Sequence, residues 1–181
     1  NAQDMVDACK ALGVNVMTAH WEFTFGEDRV KEIIAKDFAN KIEFVAQNVK
    51  TKDFEDPVFK PYVLKEMNGV TVAIVGQAFP YTPIANPSWQ VPNWTFGIQD
   101  EQMQKYVNEA RVDLKLASRV TGIYAILGGH THDGVPIPTM VKNAGGQTLV
   151  TNAGSNGKFL GVLDLDVRDK KVVGVHYKLL P

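Results

Sequence analysis

Two short stretches of the chain gather side chains able to hold a metal ion. The run Gly128-Gly129-His130-Thr131-His132-Asp133-Gly134 comes directly off the apolar stretch Ile123 to Leu127. Two histidines two residues apart at a strand end, with glycines before them to give the backbone room, can turn both imidazoles towards a metal pair. An HxH pair also occurs as plain surface or hydrogen-bonding histidines; the glycines, the strand end and the following loop favour ligation. The second stretch, Thr18-Ala19-His20-Trp21-Glu22-Phe23-Thr24-Phe25-Gly26, also follows an apolar β-branched run. Ligands collect at the carboxyl ends of strands in open α/β sheets, so His20 is expected to converge with His130 and His132. The alternative is a packed aromatic loop in which Trp21, Phe23 and Phe25 fill core space and His20 satisfies a carbonyl.

A third run, Thr151-Asn152-Ala153-Gly154-Ser155-Asn156-Gly157-Lys158, has the Gly and Asn content of a turn. Asn152 and Asn156, together with Asn48 in another loop after a strand, are the candidates for substrate contacts. No catalytic acid or base is assigned. His176 falls in a terminal strand pattern, where a structural histidine fits better. Cys9, the sole cysteine, sits on the apolar face of a first helix and reads as core. With one cysteine there is no internal disulfide framework and no CxxC metal knuckle, so any metal must be held by His, Asp, Asn or Glu.

The elements that must position these residues follow from periodicity. Residues Ala2 to Leu12 put Met5, Val6, Cys9 and Leu12 at helical spacing, with Asn1 as N-cap and Gly13 as the stop before a strand at Val14 to Met17. A second helix over Asp28 to Ala39 presents Val30, Ile33, Ile34 and Phe38, and a strand at Ile42 to Ala46 follows. This alternation predicts an α/β layer with a largely parallel sheet. Asn68-Gly69 then marks a tight hairpin between Tyr62 and Val75. The stretch Gln77 to Gly97, with Pro80, Pro83, Pro87, Pro92, Trp89 and Trp94, predicts a long ordered loop. Helices are expected over Ile98 to Arg111 and Asp113 to Val120, a buried strand at Ile123 to Leu127, and strands beyond Pro138 around Asn143 to Gly146 and Asp169-Lys170.

The 181 residues, 45% hydrophobic and 22% charged, suffice for one domain with a sizeable core. Nineteen Lys and Arg against 20 Asp and Glu give a net charge of -1, which disfavours nucleic acid and anionic membranes as partners. No stretch reaches the roughly 18 to 20 apolar residues of a membrane helix.

Taken together, the motifs resemble the 5'-nucleotidase-like branch of the calcineurin-like metallophosphoesterases, and within it the SoxB-type thiosulfohydrolases of bacterial sulfur oxidation. The residues that carry the resemblance are ALGVNVMTAHWEFTFG (11 to 26), FVAQNV (44 to 49), DPVFKPY (56 to 62), GQAFPYTPIANP (76 to 87), ILGGHTHDGVP (126 to 136) and LVTNAGSNGKFLGVLDLDV (149 to 167). HWEFTFG and AFPYTPIANP separate the SoxB-like reading from the nucleotidase one. The fold implied is a layered αββα sandwich with mixed sheets.

Where nucleotidase-type enzymes have Gly-Asn-His-Glu-Phe-Asp, this chain reads Ala19-His20-Trp21-Glu22-Phe23-Thr24. The family's Asn ligand therefore falls on His20, and its His and Asp catalytic pair on Trp21 and Thr24. A histidine acid assists a leaving alkoxide, but a thiolate, with a pKa of about 8.5, hardly needs a proton. The resemblance thus implies hydrolysis of a thiosulfonate on the C-terminal cysteine of SoxY in the SoxYZ carrier, with release of sulfate. It implies two divalent metal ions, manganese with zinc as the alternative, His20 and His130 on one and His132 on the other. It also implies a periplasmic setting.

The family begins with a strand bearing an Asp and a His, then a block with a bridging Asp, and these are expected to lie upstream of this chain. The family also has a strand ending in Ser-His-Asn-Gly between the elements that meet here at Arg111-Val112, so that strand and its histidine ligand are expected to be missing, and a C-terminal substrate-binding domain is expected after Pro181. Residues 1 to 181 are accordingly read as a partial catalytic domain, incomplete at its N-terminus and near 111–112, with little or no turnover alone. Two rivals stand: a 5'-nucleotidase or related phosphoesterase, and a metal-free remnant that grips a peptide with the loop Phe79 to Trp94.

Overall fold

The computed structural model describes residues 1–110 and 121–181, which divide into two compact units. The expected helix over Asp113 to Val120 and the junction at 111–112 lie outside the described residues. Unit 1 comprises residues 1–64 and 74–106; unit 2 comprises 65–73 and 107–181.

Unit 1 opens with helix α1 (Gln3–Ala11), which buries Val6. The residue flanking its start is Ala2, in a left-handed conformation, while Asn1 Oδ1 accepts the Gln3 N–H at 3.2 Å. Asn1 therefore satisfies an early helix donor from one position further out than expected. Strand β1 (Val16–Met17) leads into a 3-10 turn (Trp21–Phe25) that carries the residues after His20. Helix α2 (Glu27–Glu32) is shorter than the periodicity predicts and continues as a π turn over Ile33–Asp37. The Phe38 N–H donates to the Ile33 carbonyl at 2.8 Å, and the wider turn lets both side chains be buried five residues apart.

Strand β2 (Glu43–Phe44) pairs with β1 in parallel, Val16 opposite Glu43, as the helix-strand alternation requires. Strand β3 (Lys50–Thr51) precedes the hairpin of β4 (Tyr62–Met67) and β5 (Val70–Val75). Its turn residues Asn68 and Gly69 both take positive φ, 52° and 80°, the demand that selects this dipeptide. The proline-rich stretch folds as helix α3 (Thr82–Ala85), a 3-10 turn (Ser88–Gln90) and strand β6 (Trp94–Thr95), the last antiparallel to β3. Helix α4 (Asp100–Ala110) ends the segment.

The core of unit 1 gathers Phe23, Val30, Ile33, Phe38, Phe44, Val49 and Trp94. The Phe23 ring meets Phe96 and Trp94 edge to face, with centroids 5.0 and 6.0 Å away. Cys9 packs against this cluster, and burial pushes its thiol pKa up, with the Glu22 carboxylate adding to the rise. A thiol held protonated is a poor nucleophile and a plain packing group.

In unit 2, strand β7 (Ala125–Gly128) runs parallel to β9 (Gly146–Asn152), and β8 (Thr139–Asn143) pairs with β9 from the other side in antiparallel sense. Central β9 carries the buried residues Thr148, Leu149, Thr151 and Asn152. Strands β10 (Leu160–Arg168) and β11 (Lys171–Leu180) form a long hairpin about Asp169 and Lys170, both at positive φ. The sheets are thus mixed: β1 with β2 and β7 with β9 are parallel, while most of the remaining ladders are antiparallel, a larger antiparallel share than the helix-strand alternation predicts. No helix among the described residues is long and apolar enough to cross a membrane.

Candidate metal centre

His130 and His132 stand at the end of β7, as the sequence pattern predicts, and both are exposed. Both adopt left-handed backbone conformations, φ 69° and 62°. Such a conformation costs a non-glycine residue about 1–2 kcal/mol, and two within three residues persist only where the surroundings impose them. Asn152, buried at the end of β9, does so. Its Nδ2 donates to Thr131 Oγ1 at 3.1 Å and to the Gly129 carbonyl at 3.5 Å, and its Oδ1 accepts the Gly154 N–H at 3.1 Å. Its own carbonyl accepts the Val135 N–H at 2.9 Å. Asn152, read from the sequence as a substrate contact, clamps the turn that carries the two imidazoles from both sides. Gly128 is needed because β7 lies close to β9: a Cβ there would sit 3.0 Å from the Thr151 carbonyl.

His20, in unit 1, is half-buried and differently held. Its backbone N–H donates to Glu22 Oε2 at 2.7 Å, which ties the start of the 3-10 turn to a side chain within it. Its ring packs on that of Phe79, centroids 4.4 Å apart, and meets Trp21 edge to face at 5.3 Å. Phe23, not His20, takes the core position of this loop; Trp21 is 59% exposed. Thr24 Oγ1 donates to the Trp21 carbonyl at 2.6 Å, so its hydroxyl is spent inside the turn. Trp21 and Thr24 thus offer neither an acid nor a base.

Asn48, the third expected substrate contact, has no exposed surface and instead spends its amide on backbone groups. The Ala78 N–H donates to its Oδ1 at 2.9 Å, and its Nδ2 donates to the Ala78 and Gly97 carbonyls at 2.9 and 2.8 Å. Asn156 is exposed at φ 57° beside Gly157 at φ 65°, the turn geometry its neighbours predict. His176 lies on the exposed hairpin, its Nδ1 3.8 Å from Asp164 Oδ2 across the β10–β11 pair. Glu27, a residue the sequence did not single out, is buried and receives both the Asn93 backbone N–H at 2.7 Å and the Asn93 amide at 3.1 Å. The helix read from the sequence begins one residue later, at Asp28, and a carboxylate at a helix start is common.

The two imidazoles on the constrained turn of unit 2 are of the kind that bind zinc or manganese, and His20 of unit 1 offers a donor of the same kind. His130 and His132 fit as a contribution to a divalent centre. Among the described residues no group of three or more His, Cys, Asp or Glu is gathered to hold a metal, so they do not close one.

No family model matches the chain. The trifunctional nucleotide phosphoesterase protein YfkN of Bacillus subtilis is 32% identical over 128 residues, covering 62% of this chain and 9% of that protein. The solved structure of YfkN as a calcineurin-like phosphoesterase superposes with a TM-score of 0.70 at 19% identity, over 97% of this chain and 66% of that one. The sulfate thiohydrolase SoxB of Thermus thermophilus, solved with glycerol, superposes with a TM-score of 0.86 at 26% identity, over 97% of this chain and 34% of that one. A 5'-nucleotidase precursor from Thermus thermophilus gives 0.81 at 23% identity, over 99% and 41%. The chain therefore spans about a third of the SoxB structure and less than a tenth of the YfkN protein. It has the mixed α/β fold of the calcineurin-like phosphoesterases.

Proposed function

We propose that the chain is part of the catalytic domain of a metal-dependent hydrolase of the SoxB kind, acting on a thiosulfonate carried by a protein cysteine. The observation that carries this reading is the His20 turn. Trp21 and a self-satisfied Thr24 stand where a phosphoesterase needs a proton-transferring pair, which suits a leaving group that departs as a sulfur anion. In that reaction a water oxygen adds to the sulfonate sulfur, the sulfur–sulfur bond breaks with its electrons on the cysteine-bound sulfur, and sulfate is released. His130 and His132 would contribute imidazoles to a metal centre, His20 is the further ligand that the resemblance implies, and other ligands would be needed to complete it. Bound divalent ions supply Lewis acidity and an activated water there. What this chain's own residues do is fix the imidazoles: Asn152 holds the 129–132 turn, and Glu22 holds the His20 backbone. The partner is the SoxYZ carrier, the metal manganese, and the setting the bacterial periplasm.

The second reading, a nucleotide phosphoesterase, is favoured by the 32% identity to YfkN. Titration of the manganese-loaded chain with a cysteine-thiosulfonate peptide and, separately, with nucleoside monophosphates tests the choice by binding, since little turnover is expected of these residues alone. Metal-dependent binding of the peptide and weaker binding of the nucleotides are expected. Metal-dependent nucleotide binding without peptide binding installs the nucleotidase reading.

A further inference from the structure

The mechanism leaves one group of buried polar side chains unused. Gln47 and Asn48 are buried in unit 1, and the Gln47 Nε2 donates to Gln77 Oε1 at 2.6 Å. Gln77 Nε2 donates in turn to the Ile98 carbonyl at 3.1 Å, and Gln99 Nε2 to the Asn48 carbonyl at 3.3 Å. Three chain segments, 47–48, 77–78 and 97–99, are tied together by side-chain amides at a place where strands have ended. Among the described residues, Gln47 Oε1 and Gln99 Oε1 are left without a hydrogen-bond partner, whereas Asn48 spends both ends of its amide, so Asn48 is the member whose loss would orphan the most buried groups.

The contacts of Asn48 can be followed residue by residue. Asn48 bonds to both the N–H and the carbonyl of Ala78, a two-point clamp on one peptide unit, while the Gln47 N–H donates to the Gly76 carbonyl at 2.9 Å. Ala78 is itself fully buried. The next residue is Phe79, whose N–H donates to the Ala19 carbonyl at 3.4 Å and whose ring packs on His20. Phe79 therefore touches the His20 loop at two points, one on the backbone before the histidine and one on the imidazole, and Asn48 fixes the residue immediately before it.

We infer that Asn48 is a positioning residue for His20, acting through the Ala78–Phe79 segment to hold the imidazole in one orientation. This rests on the reading of His20 as a metal ligand for its purpose, but not for its geometry. A ligand orientation set from the surrounding shell is worth about 10- to 100-fold in metal affinity.

The test uses the whole chain with Asn48→Ala, Phe79→Leu and the double variant. Imidazole ¹H–¹⁵N spectra of the metal-free protein read the ring directly, and zinc affinity by chelator competition reads its consequence. One sharp set of His20 resonances is expected in the parent. In Asn48→Ala, which touches no histidine, they should broaden or split while those of His176 stay unchanged. Zinc affinity should fall about 10-fold or more in each single variant and no further in the double, since both act through one contact. Sharp, unsplit His20 resonances in Asn48→Ala overturn the inference. If Asn48→Ala does not fold, Asn48→Asp, which keeps the acceptor for the Ala78 N–H and loses the donors to the Ala78 and Gly97 carbonyls, decides by the same line shape. His20→Ala separates the two levels: should it leave zinc affinity untouched, the ligand reading fails and the spectra alone judge the positioning role. Should it abolish binding while Asn48→Ala and Phe79→Leu bind as the parent does, the positioning role fails and the ligand reading stands.

Discussion

The loop that carries His20 and the turn that carries His130 and His132 hold imidazoles by different forces. Around His20 the work is done by packing: Phe23 fills the core beneath it, Phe79 and Trp21 contact its ring, and the backbone avoids left-handed φ at the histidine. Around His130 and His132 there is little burial. Two left-handed backbone conformations sit in a turn held chiefly by hydrogen bonds, the Asn152 amide to Gly129 and Thr131 and the Thr131 N–H to the Gly129 carbonyl. Packing spreads a load over many contacts of a fraction of a kcal/mol each, whereas a hydrogen-bonded clamp concentrates it. The first site should fail with the core of unit 1, and the second with one side chain.

That contrast sets the order of the expected effects. Phe23→Ala, which empties a fully buried ring position, should cost about 4 kcal/mol and lower the unfolding midpoint in denaturant, loosening the His20 loop with it. A loss under about 1 kcal/mol would mean that the loop is not anchored through the core. Asn152→Ala should cost about 2 kcal/mol, with amide exchange rising in residues 129–135 and 154 and not around His20. Uniform exchange changes would remove the distinction between the two sites. His132→Gly relieves a left-handed residue at some cost in unfolded-chain entropy, so a net gain of about 0.5 kcal/mol is expected together with weaker metal binding. A destabilised variant would show that the conformation is not strained.

The smallest effect concerns neither site. Glu32 bonds to Lys36 and Arg29, and these cations hold its carboxyl below the ordinary value of 4.5. A depressed carboxylate contributes stability above its unfolded pKa and loses it as pH falls through the folded one. Stability should therefore decline slightly as pH drops below about 4.5, and Glu32→Gln should flatten that decline.

What the sequence made legible follows the same division. Features governed by local chemistry were readable: the Asn68-Gly69 turn, the strand feeding Gly128-Gly129-His130, and the Asn156-Gly157 turn all sit where their residues predict. Features set by distant partners were not. Asn48 and Asn152 looked alike as asparagines after strands, yet their amides are spent on segments 30 and 21 residues away in the chain, respectively. Glu27 meets Asn93 across 66 residues. The π turn at Ile33–Asp37 answers a packing demand that helical periodicity does not encode.

Whether His130 and His132 serve a divalent metal centre is tested most directly by metal binding. The chain should be loaded with manganese or zinc, desalted and analysed for metal, beside His130→Ala, His132→Ala and a His176→Ala control. Retained metal is expected in the parent and in His176→Ala, at about one ion per chain or less, with its loss in the other two. Equal metal content in all four proteins, or none in any of them, would contradict that role.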